Sequence, residues 1–207
     1  MKINKLSAIS ILLVFVIGLA ACGNDEAQPD SLDSYESTPT PVTSITIRGM
    51  EYCTSLTRLA LEGRGLTNAD IEPLRYMTNL TALNLDRNNI SDVSPLAGLT
   101  NLQELSLWNN NIRNVSPLTE LTNLQRLRLH NNSITDISPL EGLVNLQHLN
   151  LGGSSEWLFL SQNNISDISP LASLTKLTSL SLLYNETITQ QQIDNLKEAL
   201  PNCNILS

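Results

Sequence analysis

The chain repeats itself with a period of 22 residues. Three units follow one another without a gap, at residues 77–98, 99–120 and 121–142. Each unit has apolar residues at its positions 1, 4, 7, 9, 14, 17 and 20, an Asn at position 12 and a Pro at position 19. A fixed period of this length predicts a solenoid, because one such unit cannot bury its own apolar face and must stack on its neighbours.

Within each unit, positions 6 to 10 alternate in the way of a short strand. Positions 7 and 9, for example Leu105 and Leu107, are predicted to point into the core, and positions 6, 8 and 10 to point outward. Strands of successive units then line up as one parallel sheet. A Pro at position 19 fixes the chain at the start of a helical or 3-10 turn on the opposite side; these prolines are Pro95, Pro117, Pro139 and Pro170.

The Asn at position 12 has a structural explanation. Where the chain bends after each strand, backbone N–H and C=O groups face the interior without a sheet partner, and an Asn amide can satisfy both kinds of group. Asn131, one residue before Asn132, is expected to be an exposed rim residue that tolerates substitution. The predicted ladder consists of Asn88, Asn110, Asn132, Asn163 and Asn185.

The 22-residue unit with its N-x-I-x-D-I-x-P-L sequence resembles the leucine-rich repeat of the internalin type. The resemblance covers roughly residues 53–207, about three quarters of the chain. It implies an α/β solenoid: a leucine-rich repeat horseshoe with short parallel strands on the concave face, short 3-10 or helical turns on the convex face, and a C-terminal helical cap. The predicted domain spans residues 45–207 and contains about six coils.

Both ends of the predicted domain depart from the period, as capping coils do. Residues 53–76 form a degenerate first repeat with Arg64 where the Asn belongs, preceded by a predicted strand around Ile45 and Ile47. The C-terminal cap, residues 189–207, is predicted to contain an amphipathic helix from about Gln190 to Leu200 and a closing strand.

One coil contains about nine surplus residues, placed near 152–160. Two leucine pairs compete for its strand, Leu149 with Leu151 and Leu158 with Leu160. The first pair is favoured because it keeps Leu146 in phase, and it leaves the surplus as a loop that follows the strand. Insertions in repeats map to surface loops, often on the binding face, although Trp157 and Phe159 could equally fold back onto the base of the loop.

The N-terminus has the features of an exported lipoprotein. Lys2 and Lys5 precede an apolar run, and residues 1–21 are predicted to be a signal peptide. The run ends in Leu-Ala-Ala-Cys, which resembles the bacterial lipobox and implies that Cys22 is lipidated. Residues 22–44 then form a tether rich in carboxylates and poor in apolar residues, which predicts disorder. The expected location is the bacterial cell envelope, with membrane contact only through this anchor.

The other two cysteines are not expected to pair with each other. Cys53 lies in the first coil and Cys203 beyond the last, so stacking at about 4.8 Å per strand separates them by over ~20 Å, against a limit of about 7 Å for a disulfide. Both are interpreted as buried thiols that pack like small apolar residues.

Composition and spacing argue against several functions. The net charge of −8 and the lack of a Lys/Arg cluster argue against nucleic acid as a partner. His130 and His148 fall four residues out of register, on the order of 13 Å apart, so they cannot share a metal. Asp92, Asp136 and Asp167 recur because the turn recurs. No enzyme, metal site or cofactor is predicted.

Candidate binding residues lie in the outward row of strand positions. Trp and Arg contribute much of the binding energy of protein interfaces, and here they cluster in the middle coils; a solvated face with a Glu104–Arg126 pair is the alternative. Tyr184 lies further along, at the rim. The candidate partner-binding residues are Trp108, Arg126, Arg128, His130, His148, Trp157, Phe159 and Tyr184.

The predicted function is therefore non-catalytic binding by a surface lipoprotein, with a protein as the partner of the concave face. Two alternatives remain at this stage. The chain could be a structural or scaffolding protein of the envelope, which would make contact through repeat edges and caps. It could also recognise glycan or cell-wall material, if Trp108 and Tyr184 act as stacking platforms.

Overall fold

The computed structural model describes residues 42–153 and 163–207. The predicted signal peptide, the Cys22 lipidation site and nearly all of the tether lie outside these residues, as do Trp157 and Phe159. The described chain begins with an antiparallel hairpin formed by β1 (Ser44–Ile47) and β2 (Met50–Cys53). The strand expected around Ile45 is therefore present, and its partner β2 ends at Cys53, the residue that was expected to open the first repeat.

The remaining strands form one parallel sheet in chain order, which confirms the predicted leucine-rich repeat fold. Equivalent residues pair directly, so that Leu83, Leu105 and Leu127 lie side by side and buried. The seven strands are β3 (Arg58–Ala60), β4 (Ala82–Asn84), β5 (Glu104–Ser106), β6 (Arg126–Arg128), β7 (His148–Asn150), β8 (Ser179–Ser181) and β9 (Asn204–Leu206).

Short 3-10 turns cross the opposite side of the coils, as the prolines predict. In each of four turns the Pro is the second residue, and the turns span Ser94–Leu96, Ser116–Leu118, Ser138–Leu140 and Ser169–Ser173. The preceding Asp side chains accept the N–H of the first Ser, for example Asp136 from Ser138 at 2.8 Å. Hydrogen bonds from the Ser hydroxyl and backbone N–H lower the pKa of Asp92, and bonds from the backbone N–H and then the Ser hydroxyl lower that of Asp136 and Asp167. The recurring carboxylates therefore serve the turn.

Each Asn at position 12 is buried and joins two coils. The Asn132 Nδ2 donates to the carbonyls of Leu107 (3.0 Å) and Leu129 (2.9 Å), and its Oδ1 accepts the N–H of Ile112 at 3.0 Å. The amides of Asn88, Asn110, Asn163 and Asn185 bond in the same way. Buried backbone groups at the bends therefore have partners along the described solenoid.

A second series of Asn side chains, which the sequence analysis missed, links the coils near the surface. Asn101, at position 3 of its unit, donates to the carbonyl of Thr78 in the preceding coil at 2.9 Å. The same bond recurs at 2.9–3.1 Å from Asn79, Asn123 and Asn145. Position 3 is Asn in each of the three gapless units, so the repetition itself was the available signal.

The two ends of the solenoid are closed by different elements. At the N-terminus, Arg48 holds the hairpin to the first coil through two bonds of 3.1 Å to Asp70, which follows the start of α1 (Asn68–Ile71). At the C-terminus, α2 (Gln190–Ala199) packs Ile193 and Leu196 against the core and precedes β9. The helix and closing strand expected in this cap are thus confirmed.

The interrupted coil uses Leu149 and Leu151, since β7 pairs with β6 and β8 around Leu149. The backbone N–H of Gly153 still donates to the Leu183 carbonyl at 3.0 Å, and Asn163 already occupies its ladder position. The interruption therefore falls between Gly153 and Asn163, slightly later than the predicted 152–160.

Two expectations about single residues were wrong. Asn131 is not an exposed rim residue: it is 4% exposed and has φ 53°, a left-handed conformation that Ala adopts with strain. Cys53 is buried but disulfide-bonded rather than a thiol, through a partner outside the described residues. Cys203 has a free thiol and is only partly buried, which confirms that these two cysteines do not pair with each other.

Replacing Asn132 with Ala should destabilise the fold. The change leaves the Ile112 N–H and the Leu107 and Leu129 carbonyls buried without partners, which costs about 1–3 kcal/mol. Asn111→Ala, in an exposed residue of the adjacent coil, should change stability by less than about 0.5 kcal/mol. Thermal unfolding followed by circular dichroism measures both, and equal shifts in melting temperature would contradict the ladder's role.

Candidate functional site

The outward side chains of the parallel sheet form the concave face, which has three rows at positions 6, 8 and 10. In the first row Glu104 lies between two arginines, 2.6 Å from Arg126 and 3.6 Å from Arg58. Arg58 reaches Glu104 across the intervening strand because the residue between them is Ala82. The Glu104–Arg126 pair, which the alternative of a solvated face predicted, is thus present, and both arginines of this row have a carboxylate partner.

The middle row is uncharged except for Arg128. Its members are Ala60, Asn84, Ser106, Arg128, Asn150, Ser181 and Leu206. Arg128 is exposed, and among the described residues no carboxylate lies within ion-pair distance of its guanidinium. The centre of the concave face therefore presents, between Ser106 and Asn150, a cation without an ion pair, whose charge acts through space on the buried Asp86 and His130 side chains.

Three side chains at the ends of β4, β5 and β6 form a layered arrangement, which we call the Trp108 stack. The Trp108 and His130 rings are nearly parallel, at 7°, with centroids 5.2 Å apart. The Arg87 Cζ lies 4.7 Å from the Trp108 centroid, in the range of a cation–π interaction. Because Arg87 belongs to the preceding coil and His130 to the following one, they cover opposite faces of the Trp108 ring.

His130 was expected to point outward, but it is buried, with 9% exposure beneath the neighbouring Trp108. Burial, and to a lesser extent the charge of Arg128, lowers the pKa of His130 to about 4. Its Nδ1 atom is buried and has no hydrogen-bond partner among the described residues. His130 is therefore neutral at pH 7 and contributes a ring, not a charge, to the candidate site.

Asp86 is a second buried residue of the outward row, and sequence reasoning did not single it out. It is 2% exposed, and its Oδ1 accepts the backbone N–H of Trp108 at 3.0 Å. Burial raises the pKa of Asp86 to about 6. A carboxylate thus supports the strand end from which Trp108 projects. The repeat places Asp86 at position 10, apart from Asp92 and Asp136 at position 16, but it does not reveal that Asp86 is buried.

The remaining candidates lie at different distances from this centre. His148 is exposed beside Arg126 in the sheet register. Tyr184 has φ 62°, and its ring lies against Gly153: a Cβ at Gly153 would come within 2.9 Å of the ring. The structure therefore brings Trp108, Arg128 and His130 together, whereas Tyr184 lies two coils beyond His130.

The described residues contain no group of three or more His, Cys, Asp or Glu side chains arranged to hold a metal ion. Within the same ranges, no helix has the length and apolarity needed to cross a membrane.

The family of Leucine Rich repeats (2 copies) matches the chain at residues 78–120, 122–155 and 156–201. The chain belongs to the leucine-rich repeat family. Two solved structures similar to this leucine-rich repeat protein are internalins of Listeria monocytogenes, each 31% identical. InlF aligns with a TM-score of 0.56 over 76% of this chain and 50% of its own, and internalin C2 with 0.54 over 75% and 74%.

A more distant structure shares the fold alone. The APL1 leucine-rich repeat domain is 18% identical, with a TM-score of 0.52 over 64% of this leucine-rich repeat protein and 34% of that chain. No significant match was found among curated protein sequences. In the alignments with the two internalins, the present chain spans half the length of InlF and about three quarters of internalin C2.

The two buried titratable groups should give stability opposite dependences on pH. Folding raises the pKa of Asp86 from 3.8 to about 6, so its contribution is fully present below pH 4 and is lost as pH rises through 6. Folding lowers the pKa of His130 from 6.5 to about 4, so its contribution is present above pH 6.5 and is lost as pH falls towards 4.

We therefore expect Asp86→Asn to raise the free energy of unfolding by about 1–3 kcal/mol at pH 7.5 and to leave it nearly unchanged at pH 4. The Asn keeps an oxygen for the Trp108 N–H but carries no buried charge. Urea unfolding of both proteins at the two pH values measures the effect. A gain of equal size at both pH values would show that ionisation of Asp86 is not its cause.

Proposed function

We propose that this protein is an exported, lipid-anchored binding protein of the bacterial cell envelope, and that its concave face holds a protein partner. The observation that carries the proposal is the Trp108 stack beside the unpaired Arg128. The solenoid is built from repeated residues, whereas this aromatic and cationic cluster occurs once among the described coils. Catalysis forms no part of the proposed function.

Leucine-rich repeat proteins, internalin-like ones included, generally act as protein–protein interaction modules, and their curved sheets provide broad rigid surfaces. Aromatic and Arg side chains are the residues that most often dominate the energy of such interfaces. Arg87 and His130 hold the Trp108 ring from both sides before any partner arrives. A side chain ordered in advance loses less entropy on binding.

The same geometry favours a protein over a glycan as the ligand of Trp108. A sugar ring that stacks on an aromatic side chain needs one open face of that ring, but Arg87 and His130 cover both faces of Trp108. Only the edge of the indole remains available. Tyr184 is likewise engaged, because its ring packs against Gly153.

The structure gives no support to catalysis at this face, and the leucine-rich repeat fold is typically a non-enzymatic scaffold. Asp86 and His130 have strongly shifted pKa values, which often mark catalytic sites. Both shifts, however, are caused mainly by burial, and no hydrogen bond joins the two side chains in the described part of the chain. They support the Trp108 stack.

The proposed anchor places a chemical condition on the three cysteines. A Cys22 sulfur that carries a diacylglycerol thioether cannot also form a disulfide. Cys203 has a free thiol, and Cys53 is disulfide-bonded through a partner outside the described residues. A disulfide between Cys53 and Cys22 would exclude lipidation of the same molecule, so the anchored form requires that Cys53 pair with a cysteine of another molecule.

We expect Cys22→Ala to abolish metabolic labelling with palmitate and to leave unprocessed precursor in the cell, because the lipid acceptor is lost. Cys203→Ala is the matched control and should be labelled like the parent. Unchanged labelling of Cys22→Ala would refute the anchor.

For the concave face, we expect Arg128→Ala and Trp108→Ala each to weaken capture of the protein partner from an envelope extract at least about tenfold, or about 1.4 kcal/mol. Arg128 is exposed, so its variant should keep the parent's melting temperature. Trp108→Ala should also lower the melting temperature, because it uncovers His130. Immunoprecipitation with quantitative mass spectrometry measures capture, and calorimetry measures melting.

Arg113→Ala is the control, since Arg113 is equally exposed but lies outside the strands of the sheet. It should retain both capture and stability. A second variant, which lacks residues 154–162, tests whether the interrupted coil contributes to capture of the partner. The deletion keeps Gly153 and Asn163, whose hydrogen bonds hold the coil in register. If Arg128→Ala and Trp108→Ala both capture the partner as the parent does, the concave face is not the binding surface.

A further inference from the structure

We propose that Arg128 is the specificity-determining residue of the concave face and that it binds one carboxylate, an Asp or Glu side chain of the protein partner. This inference rests on the proposed function, because it assigns the chemistry that the partner presents to that face. It adds a defined subsite, formed by Arg128 between Ser106 and Asn150 with the edge of the Trp108 stack beside it.

The other arginines near the concave face already lie beside a carboxylate. Arg58 and Arg126 share the carboxylate of Glu104, and Arg87 lies 3.8 Å from Glu62 and over the Trp108 ring. Arg128 differs from these arginines, because within the described residues it forms no ion pair, and its charge acts on the buried carboxylate of Asp86 only through space. An exposed guanidinium without an internal partner is available to bind an incoming anion.

Arg128 has uncharged neighbours in the sheet. Its register neighbours are Ser106 in β5, whose hydroxyl is buried, and Asn150 in β7, which is half-buried; both are uncharged. An Arg presents a planar fork of N–H donors that matches the two oxygens of a carboxylate. The Asn150 side chain, whose oxygen accepts the Gly152 N–H, can donate a hydrogen bond from its amide nitrogen without competing in charge. The middle row therefore accommodates one carboxylate at its centre.

A neutral aromatic surface lies next to the Arg128 guanidinium. His130 follows Arg128 by two residues on the same strand, and it stacks on Trp108. Burial keeps the His130 ring neutral at pH 7, so it does not add a second charge. Rings beside an ion pair limit access of water and strengthen the electrostatic attraction. A carboxylate flanked by an apolar or aromatic side chain fits both parts of this surface.

The number of cations distinguishes a single carboxylate from a polyanion. Nucleic acids and other polyanions are held by several phosphate contacts spread over a basic surface. Here the net charge of the chain is −8, and the other strand arginines are already paired. One isolated Arg in an acidic protein selects a local carboxylate at short range, and a polyanion would be repelled.

Peptide ligands provide a direct test. A phage-displayed library of random peptides is selected on the purified full-length protein, and binders to the concave face are identified by their weaker binding to Trp108→Ala or to His148→Ala. These sequences should be enriched in Asp and Glu relative to the unselected library. One acidic binder is then synthesised with its Glu or Asp, and again with the corresponding Gln or Asn.

A double-mutant cycle isolates the pair. Loss of the peptide carboxylate should weaken binding to the parent protein about tenfold but binding to Arg128→Gln at most about twofold, as for partners in direct contact. With Arg113→Gln, an exposed arginine outside the sheet, the peptide change should again weaken binding about tenfold. Isothermal calorimetry measures the dissociation constants, and thermal melting verifies that each variant is folded.

The outcomes separate the two proposals. Concave-face binders that lack acidic enrichment, or whose carboxylate acts equally in the parent and in Arg128→Gln, would overturn the carboxylate subsite and leave the proposed binding function intact. If no selected peptide depends on Trp108 or His148, both proposals fail. Acidic binders whose carboxylate requires Arg128 but not Arg113 support both.

Discussion

The fold depends on the Asn amide at the bend that follows each strand. One side chain bonds two coils at once: Asn132 donates to carbonyls of its own coil and of the preceding coil, and accepts an N–H from the preceding coil. A buried amide or carbonyl without a partner is costly, so a coil without this residue would leave several such groups in the core. The leucines fill the interior, but the amide fixes the bend and the distance at which the next coil stacks.

This dependence explains how much of the fold could be predicted from the sequence. The amide and the leucines have fixed positions in the 22-residue unit, so the period alone locates the strands, the ladder and the 3-10 turns. It does not determine whether an outward side chain at position 10 is exposed, because that depends on the neighbouring coil. His130 is covered by the large ring of Trp108, and the burial of Asp86 could not be deduced from strand alternation either.

The interrupted coil shows the same division between fixed and variable positions. Gly152 and Gly153 stand where other coils have side chains, because the next coil passes very close: a Cβ on Gly152 would lie 2.2 Å from the Leu183 nitrogen. The nine additional residues begin directly after this contact and end directly before Asn163. The solenoid therefore accepts an insertion between two positions whose backbone bonds are retained, and the stacking of the sheet continues on both sides of it.

Trp108 contributes both to stability and to the proposed recognition, whereas Arg128 contributes only to the proposed recognition. The ring of Trp108 covers His130 and lies under Arg87, and its backbone N–H binds Asp86, so a change there alters buried groups of three coils. Arg128 projects from the middle row without such contacts, and its neighbours Ser106 and Asn150 belong to strands whose pairing uses only the backbone. A substitution at Arg128 should therefore leave the coils undisturbed and test the proposed recognition alone, whereas a substitution at Trp108 must also preserve the burial of His130.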